Sequence, residues 1–158
     1  MSKLYIVIPA YNEEANIYSV TKSWHEIIVK TGSESRLVIV DDGSKDSTYK
    51  ILTELAQELP QLIALTKVNG GHGATILYGY QYALEKGADY VFQTDSDGQT
   101  VPEEFWQFWE LREEYAAIIG LRNKREDGFS RVFVTKVLRL VLQCVFRLNI
   151  LTRTRHFV

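Results

Sequence analysis

Short apolar runs alternate with longer amphipathic stretches along most of the chain. A short apolar run closed by turn residues is typical of a buried strand, whereas apolar residues three or four apart indicate a helix. These patterns predict strands at Leu4–Ile8, Leu37–Val40, Leu62–Leu65, Tyr90–Gln93 and Ala117–Leu121. The alternation predicts an α/β fold whose central, mostly parallel sheet is covered by helices on both faces.

Polar residues after the strands predict where the intervening helices begin. Asn12 is expected to cap the first helix, with Glu13 and Glu14 in its first turn, where the helix dipole favours acidic groups. Asp46 is expected to cap the second helix. The glycine-rich segment Asn69–Gly73 is expected to lead into the third.

The pattern changes after Gly128. Residues 132–151 are mostly apolar, but their polar residues recur along one side, as in a basic amphipathic helix. Such a helix can lie on anionic lipid, or it can pack on the sheet with its charges in water. We therefore predict a main domain over 1–131 and a C-terminal helix and irregular tail of the same domain over 132–158.

Composition places the chain among ordinary globular proteins. Of its 158 residues, 46% are hydrophobic and 24% charged, which excludes disordered and low-complexity classes. A single cysteine excludes an internal disulfide framework and a multi-cysteine zinc cluster. The first apolar run is too short for a secretory signal, so we expect a cytoplasmic protein.

Charge is distributed unevenly along the chain. Residues 1–119 contain nine Lys/Arg and 18 Asp/Glu, a balance of −9, whereas residues 120–158 contain nine Lys/Arg and two acids, a balance of +7. A basic segment of this kind attracts phosphates, a lipid surface or nucleic acid. It can equally form a solvated basic face.

Polar clusters follow four of the five predicted strands. In an open α/β sheet, ligands bind outside the carboxyl ends of the strands, so the joint placement of these clusters is more informative than any one of them. The clusters are Pro9–Glu13, Asp41–Ser44, Asp95–Gln99 and Leu121–Arg125.

Asp95 and Asp97 are separated by one residue, so a turning segment can direct both carboxylates to one point. Two adjacent anions repel each other unless a cation lies between them. Mg²⁺ suits such a pair because it takes one or two carboxylates together with substrate phosphates and water. The alternative is local turn and capping chemistry, in which Asp, Ser and Gly are common.

Two further polar segments have both a functional and a structural interpretation. A carboxylate of Asp41 or Asp42 can accept a hydrogen bond from a base or ribose, or the pair can simply begin a turn. The glycines of Asn69–Gly73 allow close approach of a phosphate to a helix N-terminus. His72 can contact a nucleotide there, or it can face solvent.

Four segments together carry a family resemblance: IVIPAYNEEANI, LVIVDDGSKDST, NGGHGATILYGYQYALEKGADYVFQTDSDGQTVPE and GLRNKREDGFSR. They span roughly residues 4–131, and in their order and spacing they resemble family 2 glycosyltransferases. Within that family the chain is most similar to the dolichol- and polyprenyl-phosphate sugar transferases. The resemblance implies a GT-A fold, a Rossmann-like three-layer sandwich.

The resemblance also implies roles for individual residues. Pro9, Tyr11 and Glu13 would line the base and ribose pocket, and Val40 and Asp42 would contact the base. Asp95 and Ser96 would contact the ribose and diphosphate. The implied nucleotide-binding residues are Pro9, Tyr11, Glu13, Val40, Asp42, Asp95, Ser96, Gln99 and Arg131.

The implied catalytic residues are Asp97 and Arg122. Asp97 would be the main ligand of Mg²⁺ or Mn²⁺, with Asp95 as the second carboxylate and Gln99 supporting the metal and phosphate region. Arg122 matches an arginine that faces the donor diphosphate after the fifth strand, and Arg131 matches a second one.

The reaction implied is inverting transfer of a sugar from a UDP- or GDP-sugar, with a divalent metal on the donor diphosphate. The acceptor would be a polyprenyl phosphate or a membrane-linked glycan, not nucleic acid. This acceptor would place the protein peripherally at the inner face of the membrane.

The chain is shorter than the catalytic domains it resembles, which normally continue beyond the position of Val158. The alternative is therefore a catalytically incomplete module that binds nucleotide-sugar, with a homodimer as one arrangement. A phospho-accepting receiver domain would need a lysine after the fifth strand. A nucleotidyltransferase would need a glycine-rich, lysine-bearing signature near the N-terminus. The sequence provides neither a matching lysine nor this signature.

Overall fold

Strands and helices alternate along the chain, as the hydrophobic pattern predicts. The structure is a computed structural model that describes residues 2–121 and 150–154. Within those residues the strands are β1 (Leu4–Ala10), β2 (Arg36–Asp41), β3 (Leu62–Thr66), β4 (Tyr90–Gln93), β5 (Ala117–Leu121) and β6 (Ile150–Thr154). The helices are α1 (Ile17–Thr31), α2 (Thr48–Glu58), α3 (His72–Glu85) and α4 (Phe105–Glu110), which follows a 3-10 turn at Pro102–Glu104.

The chain divides into two compact units. The N-terminal unit runs to Glu103 and contains β1–β4 with α1–α3, and the C-terminal unit begins at Glu104. The predicted boundary between residues 131 and 132 lies outside the described residues.

The N-terminal unit contains one four-stranded sheet in the order β3-β2-β1-β4, and each neighbouring pair is parallel. The chain adds β2 and β3 on one side of β1, and then returns to place β4 on the other side. Such a reversal of strand order leaves a crevice at the carboxyl ends of the strands. Ala10 at the end of β1 is in register with Asp41, and Val7 is in register with Gln93.

Both faces of the central strands are buried. On one face, Tyr5 and Val7 of β1 form an apolar cluster with Val38 and Val40 of β2 and Ala83 of α3. Because successive side chains of a strand point to opposite faces, the intervening residues face the other side. They are almost fully buried as well: Leu4, Ile6, Ile8, Leu37 and Ile39.

The opposite face of the sheet is covered by α1 and α2, which contact each other and the strands. Their inward positions are apolar and buried, including Ile17, Trp24 and Ile28 of α1 and Leu52 of α2. The result is the predicted three-layer α/β sandwich with a parallel sheet.

The start of the first helix differs from the prediction. Helix α1 begins at Ile17 rather than next to Asn12, and Asn12 itself has a left-handed backbone with φ of 54°. The residue that directly precedes α1 is Asn16, and Asn12 tolerates its left-handed conformation because its side chain can hydrogen-bond locally. Glu13 and Glu14 consequently lie in the loop before α1 rather than in its first turn.

The end of the chain also differs from the prediction. Ile150–Thr154 form β6, which pairs in parallel with β5 in a separate two-stranded sheet, so these residues are neither helical nor irregular. The remainder of the predicted helix over 132–149 lies outside the described residues. In the part of the chain that the structure describes, no helix combines the length and the apolar character needed to cross a membrane.

Candidate functional site

A cleft of about 470 Å³ opens at the carboxyl ends of β1, β2 and β4. This volume lies within the range of roughly 300–1,000 Å³ that is usual for small-molecule sites. Every residue that lines it belongs to the N-terminal unit. The lining residues are Pro9, Ala10, Tyr11, Glu13, Asp42, Asn69, Gly71, His72, Thr75, Asp95, Ser96 and Asp97.

The structure brings seven of the predicted donor-site residues together in this cleft, and places two of the others elsewhere. Val40 does not line the cleft, because its side chain is fully buried in the apolar cluster of the sheet. Gln99 follows the cleft residue Asp97 and donates its backbone N–H to Asp97 Oδ1 at 2.9 Å. Arg122 and Arg131 lie outside the described residues. The seven are Pro9, Tyr11, Glu13, Asp42, Asp95, Ser96 and Asp97.

The loops after β1 and β2 are joined to each other by hydrogen bonds. Asn12 accepts from the Lys45 backbone N–H through Oδ1 at 2.8 Å, and its own N–H donates to Ser44 Oγ at 2.9 Å. The Glu13 N–H donates to Thr48 Oγ1 at 2.8 Å. Asn12 therefore bridges two loops instead of capping α1, and the bridge holds Glu13 at the cleft.

Asp46 has the capping role that the sequence predicts, although the position directly before α2 is Ser47. Its Oδ1 accepts from the Thr48 backbone N–H at 3.0 Å and from the Thr48 hydroxyl at 2.6 Å. Burial acts to raise the pKa of Asp46, but hydrogen bonds led by those from Thr48 lower it overall. The loop and α2 are thereby tied to a carboxylate that stays ionised.

Asp42 is the most heavily hydrogen-bonded carboxylate of the site. It is 4% exposed, and its Oδ1 accepts from the Lys67 ammonium and from the Gly70 N–H at 2.9 Å. Its Oδ2 accepts from the Gly71 N–H at 2.8 Å. Asp42 therefore joins the end of β2 to the loop that precedes α3.

These contacts determine the protonation state of Asp42. Burial alone would raise its pKa, because a desolvated carboxylate is less stable when charged. The hydrogen bonds from Lys67, Gly70, Thr75 and Gly71 outweigh burial and lower the pKa from 3.8 to about 2. The carboxylate is therefore ionised throughout the neutral range.

Two backbone N–H groups of the glycine-rich segment already have an anionic partner within the protein. The backbone N–H groups of Gly70 and Gly71 donate to the Asp42 carboxylate, so the anion they bind belongs to the protein itself. Gly71 has φ of 86°, a conformation that favours glycine, and it directly precedes α3. Asn69 and His72 reach the cleft from this segment, and Thr75 reaches it from α3.

The opposite wall of the cleft is formed by the residues after β4. Asp95 Oδ1 accepts from Gln93 Nε2 at 3.2 Å and lies 3.8 Å from His72 Nε2. Ser96 is buried, and the turn after Asp97 contains Gly98 with φ of 71°. Asp95 and Asp97 thus line one cleft, as their spacing predicts.

Asp95 and Asp97 give this wall the type of oxygen ligand that a divalent cation uses. Carboxylate oxygens are the ligands that Mg²⁺ prefers, and Mg²⁺ needs only one or two of them beside phosphates and water. Among the described residues no cluster of three or more His, Cys, Asp or Glu residues could enclose a metal on its own. Asp95 and Asp97 line the same cleft, so the wall contains two carboxylates, the number that Mg²⁺ can take beside phosphates and water.

Sequence reasoning overlooked one residue that shapes the site. Lys67 is not a lining residue, and nothing in its local sequence indicates a role. Its partner Asp42 lies 25 residues earlier and on another strand end. Only the parallel pairing of β2 and β3, which sets Asp41 opposite Thr66, brings the two side chains together.

Comparisons with known proteins agree with the motifs. The family model described as "Glycosyl transferase family 2" matches residues 5–157. The UDP-N-acetylglucosamine–dolichyl-phosphate N-acetylglucosaminyltransferase of Methanococcus voltae is 32% identical over 148 residues, which cover 84% of this chain and 57% of that protein. The undecaprenyl-phosphate 4-deoxy-4-formamido-L-arabinose transferase of Pectobacterium atrosepticum is 29% identical, covering 87% of this chain and 42% of that protein.

Solved structures support the same assignment. TarS of S. aureus, residues 1–349, matches with a TM-score of 0.59 and 26% identity, covering 80% of this chain and 38% of that one. The chain spans about half the length of the curated relatives it matches. The resemblance inferred from the motifs is confirmed: the chain belongs to glycosyl transferase family 2.

Proposed function

We propose that this chain transfers a sugar, with inversion, from a UDP- or GDP-sugar to a polyprenyl phosphate. The observation that carries the proposal is the meeting of seven predicted residues from three strand ends in one cleft of about 470 Å³. Such convergence of polar groups at the carboxyl ends of parallel strands is typical of a ligand site.

The nucleotide would occupy the side of the cleft formed by the loops after β1 and β2. Tyr11 is 44% exposed at this side, so its ring is available to contact a base or ribose. Glu13 is held there by the bridge between the two loops. Asp95, Ser96 and Asp97 form the other wall, next to which we place the ribose and diphosphate.

A divalent cation, Mg²⁺ or Mn²⁺, would be held by Asp97 with Asp95 as the second carboxylate. When bound, the cation would neutralise the charge of the diphosphate leaving group. Asp97 Oδ1 already accepts from the Gln99 N–H, which orients the carboxylate in the turn. Arg122, also proposed to face the diphosphate, would supply further positive charge.

A polyprenyl-phosphate acceptor is supported by the names of two relatives, which act on dolichyl phosphate and undecaprenyl phosphate. A phosphate oxygen is already anionic, so it needs little help from a general base. Positioning and charge neutralisation would then provide most of the catalysis. This acceptor would bring the protein to the inner face of the membrane as a peripheral protein.

The names of the relatives do not favour the alternative of a module that only binds nucleotide-sugar, because these relatives are transferases. The homodimer stays a prediction, which size-exclusion chromatography with light scattering would test.

Calorimetric titration of UDP and of GDP, with Mn²⁺ and with EDTA, tests the donor site. We expect one nucleotide to bind only with the metal. Asp97→Ala should weaken that binding by about tenfold or more, since removing a charged contact costs about 1.5–3 kcal/mol.

Glu85→Gln is the matched control, because Glu85 is an exposed carboxylate in the last turn of α3 that does not line the cleft. It should bind as tightly as the wild type. Equal binding by Asp97→Ala would contradict the assignment of Asp97, and the absence of binding to either nucleotide would contradict the proposed donor site.

A further inference from the structure

The loop of residues 67–71, between β3 and α3, is attached to the end of β2 by five hydrogen bonds. One joins two backbone groups, and each of the other four involves at least one side chain. They are Lys67 N to Asp41 O at 3.1 Å, Asn69 Nδ2 to Asp42 O at 2.9 Å, Gly70 N to Asp42 Oδ1 at 2.9 Å, Gly71 N to Asp42 Oδ2 at 2.8 Å, and Lys67 Nζ to Asp42 Oδ1.

The ion pair within this set is shielded from water. The side chains of Lys67 and Asp42 are 15% and 5% exposed. Removing one partner of such a pair leaves an uncompensated charge in a poorly solvated place, which is strongly unfavourable. An exposed pair behaves differently: Lys50 and Glu54 on α2 are 4.0 Å apart and 77% and 63% exposed, so their interaction contributes little.

The loop has little room to take another path. A Cβ on Gly70 would lie 3.0 Å from Lys67 Nζ, and a Cβ on Gly43 would lie 3.0 Å from the Asn69 backbone nitrogen. Lys67 Nζ also donates to the Val68 carbonyl at 3.0 Å. The lysine side chain therefore lies against the loop, and the turn after β2 packs directly on it.

The loop and the start of α3 provide one third of the cleft's lining. Asn69, Gly71, His72 and Thr75 are four of its twelve lining residues. His72 follows Gly71 directly, so the hydrogen bond from Gly71 to Asp42 fixes the point from which His72 enters the cleft. Lys67 does not line the cleft, but it is the cationic partner of the Asp42 carboxylate, which holds this segment.

We propose that Lys67 is a positioning residue of the donor site, which acts through Asp42 to hold Asn69 and His72 in the cleft. The inference rests on the proposed function, because it assigns to Lys67 an effect on nucleotide binding. Lys67 makes no contact with the donor in this arrangement. Its effect is exercised through the loop.

The first test compares Lys67→Met with the control Lys50→Met, which removes the lysine of the exposed pair. Affinity for the bound nucleotide is measured with Mn²⁺, well below the unfolding temperature of each variant. Lys67→Met should bind about tenfold more weakly while its circular dichroism stays native, and Lys50→Met should bind like the wild type.

Hydrogen exchange on the free protein supplies a readout that does not depend on the nucleotide. The amides of Gly70 and Gly71 should exchange faster in Lys67→Met than in the wild type, because the carboxylate they bind is no longer fixed by its cation. Amides in the middle of β1 should be unchanged.

A double-mutant cycle with Asp42→Asn separates positioning from direct contact. If Lys67 acts through Asp42, Lys67→Met should cause no further loss of affinity in the Asp42→Asn background. An additional tenfold loss there would mean that Lys67 touches the nucleotide directly, and would overturn the positioning role.

Two outcomes distinguish failure of this inference from failure of the proposed function. Wild-type protein that binds neither UDP nor GDP overturns the proposed function. Native nucleotide affinity in a folded Lys67→Met, or unchanged exchange at Gly70 and Gly71, overturns the role of Lys67 alone.

Discussion

Asp42 shows how a protein keeps a carboxylate charged in a place that excludes water. An isolated buried anion would take up a proton, but Asp42 receives an ammonium and two backbone N–H groups instead. Charge-assisted hydrogen bonds of this kind are stronger than neutral ones. The ionised form of Asp42 consequently stabilises the fold, in addition to its place in the site.

This has a consequence for stability in acid. The pKa of Asp42 is about 2 in the folded protein and near 3.8 when unfolded, so its ionisation stabilises the fold above pH 3.8. That contribution is about 2 kcal/mol, since one pKa unit corresponds to about 1.4 kcal/mol, and it is lost as the pH falls from about 3.8 to about 2. Urea unfolding of the wild type and Asp42→Asn should show a stability difference at pH 6 that shrinks below pH 4.

The same comparison for Glu85→Gln, an exposed carboxylate of α3, provides the control and should show a small difference at pH 6. A difference between wild type and Asp42→Asn that is as large at pH 2.5 as at pH 6 would contradict this account of Asp42.

At the scale of elements, the contact between α3 and β1 sets the position of the cleft's inner wall. Gly79 lies where the helix passes over the strand, and a Cβ there would collide with Val7 Cγ1. The helix can lie this close only because position 79 has no side chain. The same helix provides Thr75 to the cleft, four residues earlier.

Gly79→Ala should therefore lower the free energy of unfolding. Overpacking of a filled core costs about 1–3 kcal/mol, and the gain of up to about 1 kcal/mol in helix propensity offsets only part of it. Gly73→Ala, in the same helix, is the control, because a Cβ there would meet nothing within 4 Å. Its stability in urea should be unchanged or slightly raised, and equal effects of the two substitutions would contradict the close packing of α3 on β1.

Elements that depend on the pattern of neighbouring residues could be predicted from the sequence. Elements that depend on contacts with residues far along the chain could not. Tyr90–Gln93 and Ala117–Leu121 were predicted with the bounds that β4 and β5 have, because short apolar runs report burial directly. The predicted start of α1 was wrong, because Asn12 forms hydrogen bonds with Ser44 and Lys45 of another loop. β6 was missed because its pairing with β5 joins distant parts of the chain.

The same distinction between local patterns and distant contacts applies to the residues of the site. Asp95 and Asp97 could be placed in a cleft because strand ends in a parallel sheet meet at one edge. The partners of Asp42 could not be found, since its pairing with Lys67 depends on the register of β2 and β3. Val40 was assigned to the base by resemblance, whereas alternation along β2 turns its side chain into the core.

For the N-terminal unit as a whole, the cleft depends on strand order more than on any single side chain. Three loops from β1, β2 and β4 surround it, and the segment after β3 closes it. A ligand in this cleft would contact loops that are far apart in sequence. Binding should therefore stabilise the folded state as a unit.

A thermal shift measures this effect. A ligand that binds only the folded state adds about 2.7 kcal/mol of stability at a concentration of 100 times its Kd. We expect the nucleotide with Mn²⁺ to raise the unfolding temperature by several degrees, and the nucleotide with EDTA to leave it unchanged. Asp97→Ala should show a smaller shift at the same concentrations, because a tenfold weaker ligand adds only about 1.4 kcal/mol. A shift equal to that of the wild type would argue against metal-dependent binding at Asp97.

The parallel pairing of β1 with β4 also has a consequence for how the protein is made. Tyr5 is in register with Val91, so 86 further residues must leave the ribosome before β1 can pair with β4 at this position. At about 5–20 residues per second, the wait is roughly 4–17 s. β2 and β3 emerge earlier, so β2 can pair with β1, and β3 with β2, in the meantime. Asp95, Ser96 and Asp97 arrive last, so a nascent chain would acquire its ligand cleft only in the closing seconds of synthesis of the N-terminal unit.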